Sequence, residues 1–278
     1  MQWSPGQIIH MKHGIAKTED GVNIAYQVSG QGPALVLCHA MANDHRMYDE
    51  HREAFSKSHR LITFDQRGSG YSDHPPFDEG PESYYTVEKF GDDLKAVVDH
   101  LGIHQVTILG FSMGAVAALS FSTRWPERLD RLILASAMAS RLPQAIIARA
   151  RLVETMLDEK GLEETYDFYF SGTLFDGLMA QEKLHHMIAL FREKATPQGF
   201  KGCFRVTIDR PSLVDELKLI RCPTLILVGE NDTHYLVEAE LLENTISNAK
   251  RVVMPGVGHP LSVQDPKAFE AEVITFIS

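Results

Sequence analysis

Short apolar runs recur along the chain and alternate with stretches whose apolar residues fall three and four positions apart. The runs are Ala34-Leu-Val-Leu-Cys38, Arg60-Leu-Ile-Thr-Phe64, Val106-Thr-Ile-Leu-Gly110, Leu132-Ile-Leu-Ala135, Thr224-Leu-Ile-Leu-Val228 and Arg251-Val-Val-Met254. Continuous runs of this length suit strands buried on both faces, as in a parallel sheet. Between them, Val87–Leu101 sets Phe90, Leu94, Val97, Val98 and Leu101 on one helical stripe. Ala115–Arg124, Val237–Ser247 and Ala268–Ile277 also read as helices. Strands alternating with helices imply parallel strands joined by crossovers. Ahead of them, Ile15–Thr18 and Val22–Val28 flank Glu19-Asp20-Gly21, and Asp-Gly between strand-like runs signals a hairpin. The prediction is an α/β fold: a mostly parallel central sheet, with an antiparallel opening, covered by helices on both faces.

From about Ser140 to Ile208 the alternation stops. Arg149–Lys160, Leu162–Phe170 and Gln181–Lys194 have helical character, punctuated by Gly161, Gly172, Gly177 and Pro197, and no buried strand stands out. Two to four helices are expected there. The chain thus divides into a core of residues 1–139 and 209–278 and a helical cap, or lid, of residues 140–208. An insertion between consecutive strands has to sit at one end of the sheet, and ligand crevices of open α/β sheets lie at the carboxyl ends of the strands. Met156, Leu157, Phe168, Tyr169, Phe170, Met187, Leu190 and Phe191 suit helix packing, a lid over a pocket or a homodimer surface; periodicity does not separate the three.

Composition narrows the partners. The 278 residues are 44% hydrophobic and 23% charged, ordinary for a globular chain, with a formal net charge of −10. That charge argues against nucleic acid, whose phosphates need clustered Lys and Arg. No run of ~18 apolar residues suggests a membrane span. The opening MQWSPGQIIHMKHG lacks a basic region followed by a long apolar stretch. Cys38, Cys203 and Cys222 form neither a CxxC pair nor a zinc spacing, so reduced thiols in a cytoplasmic protein are expected.

Candidate chemistry begins at Gly110-Phe-Ser112-Met-Gly114, a G-x-S-x-G pattern entered by an apolar strand and left by a helix-forming, Ala-rich stretch. A serine in that sharp turn stands clear of the sheet, with the following helix N-terminus aimed at developing negative charge. Its hydroxyl is a poor nucleophile until a base takes the proton. Of thirteen histidines, His259 stands apart. It lies in Pro255-Gly-Val-Gly-His-Pro260, directly after the last apolar strand, whereas His45, His51 and His59 fall in a polar stretch and His185 and His186 in the insertion. The base needs a carboxylate to fix its tautomer. Asp232, in Gly229-Glu-Asn-Asp232 at the end of the strand Leu225–Val228, is placed for that role; capping the next helix is its plainer use, and Glu230 is the nearest competitor.

These motifs resemble α/β-hydrolases of the small microbial esterase, enol-lactonase and haloperoxidase-like group, over roughly Leu35 to Ile277. Asp65-Gln-Arg-Gly-Ser-Gly-Tyr-Ser72 is similar to that group's D-x-R-G-x-G-x-S loop, which implies structural roles for Asp65 and Arg67. Cys222-Pro-Thr-Leu-Ile-Leu-Val-Gly-Glu-Asn-Asp232 is similar to its acid-bearing strand. The resemblance implies catalysis by Ser112, Asp232 and His259, with an oxyanion hole from the backbone N–H groups of Met41 and Met113 and no metal or organic cofactor. His39-Ala-Met41 stands where the group usually has His-Gly and a bulky residue. Ala40 leaves the backbone geometry of that loop open, because Ala tolerates positive φ poorly, and His39 is expected to be structural. The implied activity is hydrolysis of a small-molecule carboxylic ester or lactone through an acyl-enzyme. Asp44-His-Arg-Met-Tyr48 and Ala195–Cys203 loosely resemble parts of 3-oxoadipate enol-lactonases. C–C bond hydrolases and cofactor-free perhydrolases share the triad, and a ligand receptor with a vestigial triad is the reading from another class. Epoxide hydrolases and haloalkane dehalogenases place Asp where Ser112 stands.

Overall fold

The Asp-Gly turn joins two antiparallel strands, as the pattern requires. In the computed structural model, which describes residues 11–77, 83–172, 175 and 182–278, β1 (Lys12–Lys17) pairs with β2 (Asn23–Ser29), Lys12 opposite Val28 and Lys17 opposite Asn23. Gly21 takes φ 88°, a conformation costly for any residue with a Cβ. The remaining strands are β3 (Ala34–Cys38), β4 (Arg60–Phe64), β5 (Val106–Phe111), β6 (Leu129–Ala135), β7 (Thr224–Gly229) and β8 (Ala249–Met254). Their spatial order is β1-β2-β4-β3-β5-β6-β7-β8. β2 runs antiparallel to β4, and every pairing from β4 to β8 is parallel. All residues of β5 and β7 are buried, while β8 at the edge is largely half-exposed. This gradient explains why the central runs read so clearly.

The helices, in chain order, are α1 (Arg52–Ser56), α2 (Val87–His100), α3 (Met113–Arg124), α4 (Gln144–Lys160), α5 (Leu162–Phe170), α6 (Glu182–Lys194), α7 (Pro197–Asp209), α8 (Thr233–Thr245), α9 (Leu261–Gln264) and α10 (Pro266–Ile277). In α2 the Thr86 hydroxyl accepts from the Lys89 N–H, an N-cap, and Phe90, Leu94, Val97 and Val98 are fully buried as the stripe predicts. None of the helices among the described residues is long and apolar enough to cross a membrane.

Among the described residues four α-helices, α4 to α7, lie between β6 and β7. Gly177 and Gln181 fall outside the described residues. α7 covers a segment whose glycines conceal a helix, and close packing explains both of them. A Cβ on Gly199 would sit 2.3 Å from the carbonyl oxygen of Gly68, and one on Gly202 would strike the Tyr85 ring at 2.5 Å. Thr196 caps this helix and Pro197 opens it. α8 starts four residues earlier than its apolar periodicity suggests, with Asp232 at the N-cap position.

His45, His51 and His59 depart from their polar surroundings in sequence, since all three are buried. His51 Nδ1 lies 3.0 Å from Glu270 Oε1, and its ring packs on Phe55 and Phe269. Arg67 is fully buried and joins three elements. It donates to Asp93 on α2 at 2.7 and 2.9 Å, to Asp20 of the hairpin turn at 2.9 Å and to the Tyr84 carbonyl at 2.8 Å. Charges buried with this many hydrogen bonds offset their desolvation, and removing one partner leaves the other stranded. All three cysteines are buried and unbridged, and burial pushes the Cys203 thiol up to about 12.

Candidate functional site

Strand β5 ends in Phe111 and α3 begins at Met113, leaving Ser112 alone in the turn at φ 51°, ψ −112°. Non-glycine residues pay steric strain in that region. The flanking glycines make the turn feasible. A Cβ on Gly110 would meet the backbone of Ala115 at 2.7 Å, and one on Gly114 would lie 2.1 Å from the Cys38 carbonyl oxygen. Helix α3 thereby approaches the end of β3 closely enough for the two segments bearing Met41 and Met113 to flank the serine. As the first residue of α3, Met113 has an N–H with no partner inside the helix.

His259 Nε2 lies 3.0 Å from Ser112 Oγ, and its Nδ1 lies 2.8 Å from Asp232 Oδ2. Asp232 and His259 are buried. Although Asp232 occupies the N-cap position of α8, its side chain makes no capping hydrogen bond, so the carboxylate is directed to the imidazole instead. Glu230, the competing carboxylate, accepts the Gly256 N–H at 2.8 Å in the exposed loop. The three residues that spacing singles out thus come together from β5, β7 and the loop after β8.

The imidazole is held on further sides. Its backbone carbonyl accepts from the Ser136 hydroxyl at 2.9 Å, and Ser136, immediately after β6, is fully buried at φ 43°. Phe111 stands edge-on at 6.1 Å between ring centroids, and Tyr235 packs at 4.5 Å. Gln264 on α9 accepts the Gly258 N–H. Sequence reasoning missed Ser136, Tyr235 and Gln264. Two of them carried a positional signal: Ser136 stands at the carboxyl end of a sheet strand, and Tyr235 lies one helical turn past Asp232.

His39 fixes the other side of the site. The Gln66 N–H donates to His39 Nε2 at 3.1 Å, so the ring's own proton sits on Nδ1, which donates to the Ala40 carbonyl at 2.9 Å. That carbonyl belongs to the peptide unit whose N–H is Met41's. The histidine therefore polarises and orients the group implied as an oxyanion donor, and hydrogen bonding at one end of a peptide strengthens donation from the other. Burial holds His39 below its ordinary pKa, in keeping with a neutral ring. The open question at Ala40 resolves two residues further on. Among the described residues the non-glycine positions with positive φ are Ala42 (58°), Ser112 and Ser136, and Ala40 is not one of them.

Met41, Ser112 and His259 line a cavity of about 40 Å³ whose other walls include Tyr169, Phe170 and Phe191 from α5 and α6. A larger cleft of about 630 Å³ lies at the β1–β2 edge, between Tyr26, His45 and Tyr71, and contains neither Ser112 nor His259. Beside it Asp44, His45 and Asp65 cluster closely enough to suggest a cation site. Their donors are engaged: Asp44 binds Arg46 at 2.6 Å, and Asp65 accepts from the His45 ring and from the backbone N–H groups of His45 and Tyr71. The cluster anchors Asp65 and the loop it opens.

A sequence profile described as alpha/beta hydrolase fold matches residues 33–168. Over 273 residues the chain is 27% identical to 3-oxoadipate enol-lactonase 2 of Acinetobacter baylyi, covering 96% of each chain. Among solved structures, a hydrolase from Pseudomonas aeruginosa superposes with a TM-score of 0.85 at 27% identity, covering 96% of this chain and 98% of that one. A thermophilic esterase from Thermogutta terrifontis superposes at 0.81 with 25% identity, over 96% and 98% of the two chains.

Proposed function

We propose that this chain, a hydrolase of the α/β-hydrolase fold, cleaves a carboxylic ester or lactone through an acyl-enzyme on Ser112. The observation that carries this reading is the unbroken line from Asp232 through His259 to Ser112, at 2.8 and 3.0 Å. Ser112 Oγ attacks the carbonyl carbon as His259 Nε2 takes its proton. Asp232, accepting from Nδ1–H, holds the neutral tautomer before the transfer and stabilises the imidazolium after it. The carbonyl oxygen, now negative, is held by the N–H groups of Met41 and Met113, each worth ~3 kcal/mol of barrier when well aimed. Collapse expels the alkoxide, which takes the proton from Nε2. Water then enters, gives its proton to His259 and attacks the acyl carbon; the carboxylic acid leaves and Ser112 is reprotonated.

Apolar and aromatic walls around Ser112 favour a small or medium, partly apolar acyl group. The helices α4 to α7 act as a cap, a reading supported by Tyr169 and Phe170 of α5 and Phe191 of α6, which wall the cavity at the serine.

Labelling with a fluorophosphonate, followed by peptide mapping, tests the reading. An adduct on Ser112 in the native chain that is absent from Ser112→Ala and His259→Ala supports an activated nucleophile. A folded native chain that neither labels nor turns over any of a panel of esters and lactones overturns it, and a receptor that only binds such compounds takes its place.

A further inference from the structure

Helix α8 presents three side chains at spacings of three, so they follow one another up one face: Asp232, Tyr235 and Glu238. Each touches a different part of the machinery. Asp232 accepts from His259. Tyr235, 8% exposed, lays its ring 4.5 Å from the His259 ring at an interplanar angle of 50°. Glu238, also 8% exposed, accepts the backbone N–H groups of Ala139 and Ser140 at 3.1 and 3.2 Å, together with the Ser140 hydroxyl.

The same peptide segment is gripped from its other side. Arg210, 5% exposed and at the end of α7, donates to the carbonyl oxygens of Met138 and Ala139 at 2.7 and 3.0 Å. Residues 138–140 are where the chain leaves the sheet for α4, and Arg210 is where it returns. Both roots of the helical insertion are therefore fastened together, and Glu238 fastens them to α8 with Tyr235 one turn below.

We propose that Tyr235 is a positioning residue of the hydrolytic reaction: its ring backs the His259 imidazole and keeps it on the line from Asp232 to Ser112. This rests on the function proposed above. The imidazole needs such a wall. The hydrogen bond from Nδ1 fixes the distance to Asp232 but leaves the ring free to rock about that bond, and rocking carries Nε2 off Ser112. Phe111 meets the imidazole edge-on with ring centroids 6.1 Å apart, whereas the centroid of the Tyr235 ring stands at 4.5 Å. Tyr235 itself cannot drift, because its helix is pinned by Glu238 to the peptide groups that Arg210 holds. Burial, with the nearby charge of Asp232, raises the Tyr235 phenol well above its ordinary pKa. The side chain thus stays neutral.

The test compares Tyr235→Phe, Tyr235→Leu and Tyr235→Ala in the full chain, each checked for folding by circular dichroism and thermal melting. Phe keeps the aromatic wall, and turnover within about threefold of the native chain is expected. Leu and Ala remove it, and kcat is expected to fall roughly 10- to 100-fold with KM little changed, since a displacement of about 1 Å costs that much. A direct readout is the hydrogen-bonded Nδ1 proton of His259 in the proton NMR spectrum, assigned by its loss in His259→Ala. It should remain sharp in Tyr235→Phe and broaden or vanish in Tyr235→Leu and Tyr235→Ala. Native kcat together with a sharp resonance in the Leu variant overturns the proposal, as does a loss in Phe equal to that in Ala, which would make the hydroxyl the active part. The resonance requires no substrate. A chain that hydrolyses nothing would overturn the proposed function, and the NMR comparison would still decide whether Tyr235 braces the imidazole.

Discussion

The Nδ1–H of His39 donates to the carbonyl oxygen of its own neighbour, Ala40, at 2.9 Å, and so sets the plane of the peptide whose other end is the Met41 N–H. The side chain thereby orients the N–H proposed as an oxyanion donor. Replacing His39 with Leu releases that peptide and strands the Gln66 N–H, its other partner. Loss of a complete oxyanion donor costs 10²–10³ in kcat, so a donor left in place but loosened is expected to cost roughly 10- to 100-fold. KM should change little, because the interaction is realised in the transition state. Steady-state kinetics on an activated ester checks this.

Strain in the same loop is concentrated at Ala42, at φ 58°. A residue with a Cβ held in the left-handed region costs ~1–2 kcal/mol. Ala42→Gly is expected to stabilise the fold by about 0.5–1 kcal/mol after allowing for the greater freedom of glycine in the unfolded chain. Ala40→Gly, without that strain to relieve, should destabilise by about 0.5–1 kcal/mol. Opposite shifts of the urea midpoint would check the pair.

Gly114 admits the closest approach in the site, with the position of a Cβ only 2.1 Å from the Cys38 carbonyl oxygen. Since that contact is with backbone, Gly114→Ala has to push α3 away from β3. A cost of roughly 3 kcal/mol is expected, at the upper end of overpacking effects. Activity should fall by more than the stability change explains, because the displacement carries Ser112 and the Met113 N–H together away from the segment that bears Met41. Denaturant unfolding and ester turnover under folded conditions separate the two effects.

Stability should depend on pH through His45. Burial favours its neutral ring, but the hydrogen bond and charge of Asp65 outweigh this, and the ring titrates above its ordinary value of 6.5. A raised value in the folded state means stabilisation that is fully present below the unfolded value and lost as pH rises through the folded one. Asp65, held low mainly by His45 against the opposing effect of burial, contributes stability above its ordinary 3.8 that is lost on acidification. Relative to His45→Asn, the native chain should therefore lose thermal stability as pH is raised from 6 towards 9, approximately, in steps of one unit. Melting curves across that range check the sign.

The architecture was legible because β5 and β7 are buried along their whole length and lie at the middle of the sheet, where pattern and environment coincide. Ser112, Asp232 and His259 could be singled out because each falls just past the end of a strand, which is where this fold gathers its chemistry. Helix α7 was hidden by Gly199 and Gly202, whose presence reflects contacts with Gly68 and Tyr85 that only the tertiary structure supplies. His45 and His51 looked solvated for a similar reason, since their acidic partners, Asp65 and Glu270, lie 20 and 219 positions away. Tyr235 and Ser136 act on His259 through space. No local pattern of apolar and polar residues marks such a contact.

The clasp of Arg210 and Glu238 on residues 138–140 has a consequence for how the protein varies. Because the outgoing and returning chains meet at one fastened point, the stretch between them is, in terms of chain entropy, a loop already closed. Lengthening or exchanging it adds only the slow logarithmic cost of a longer loop, about 0.6 kcal/mol for each doubling. The sheet and the line from Asp232 through His259 to Ser112 would stay in place, while the walls that Tyr169, Phe170 and Phe191 give the cavity would change. The molecule is thus built as a fixed chassis with one interchangeable compartment, whose side chains can be replaced without rebuilding the sheet beneath them.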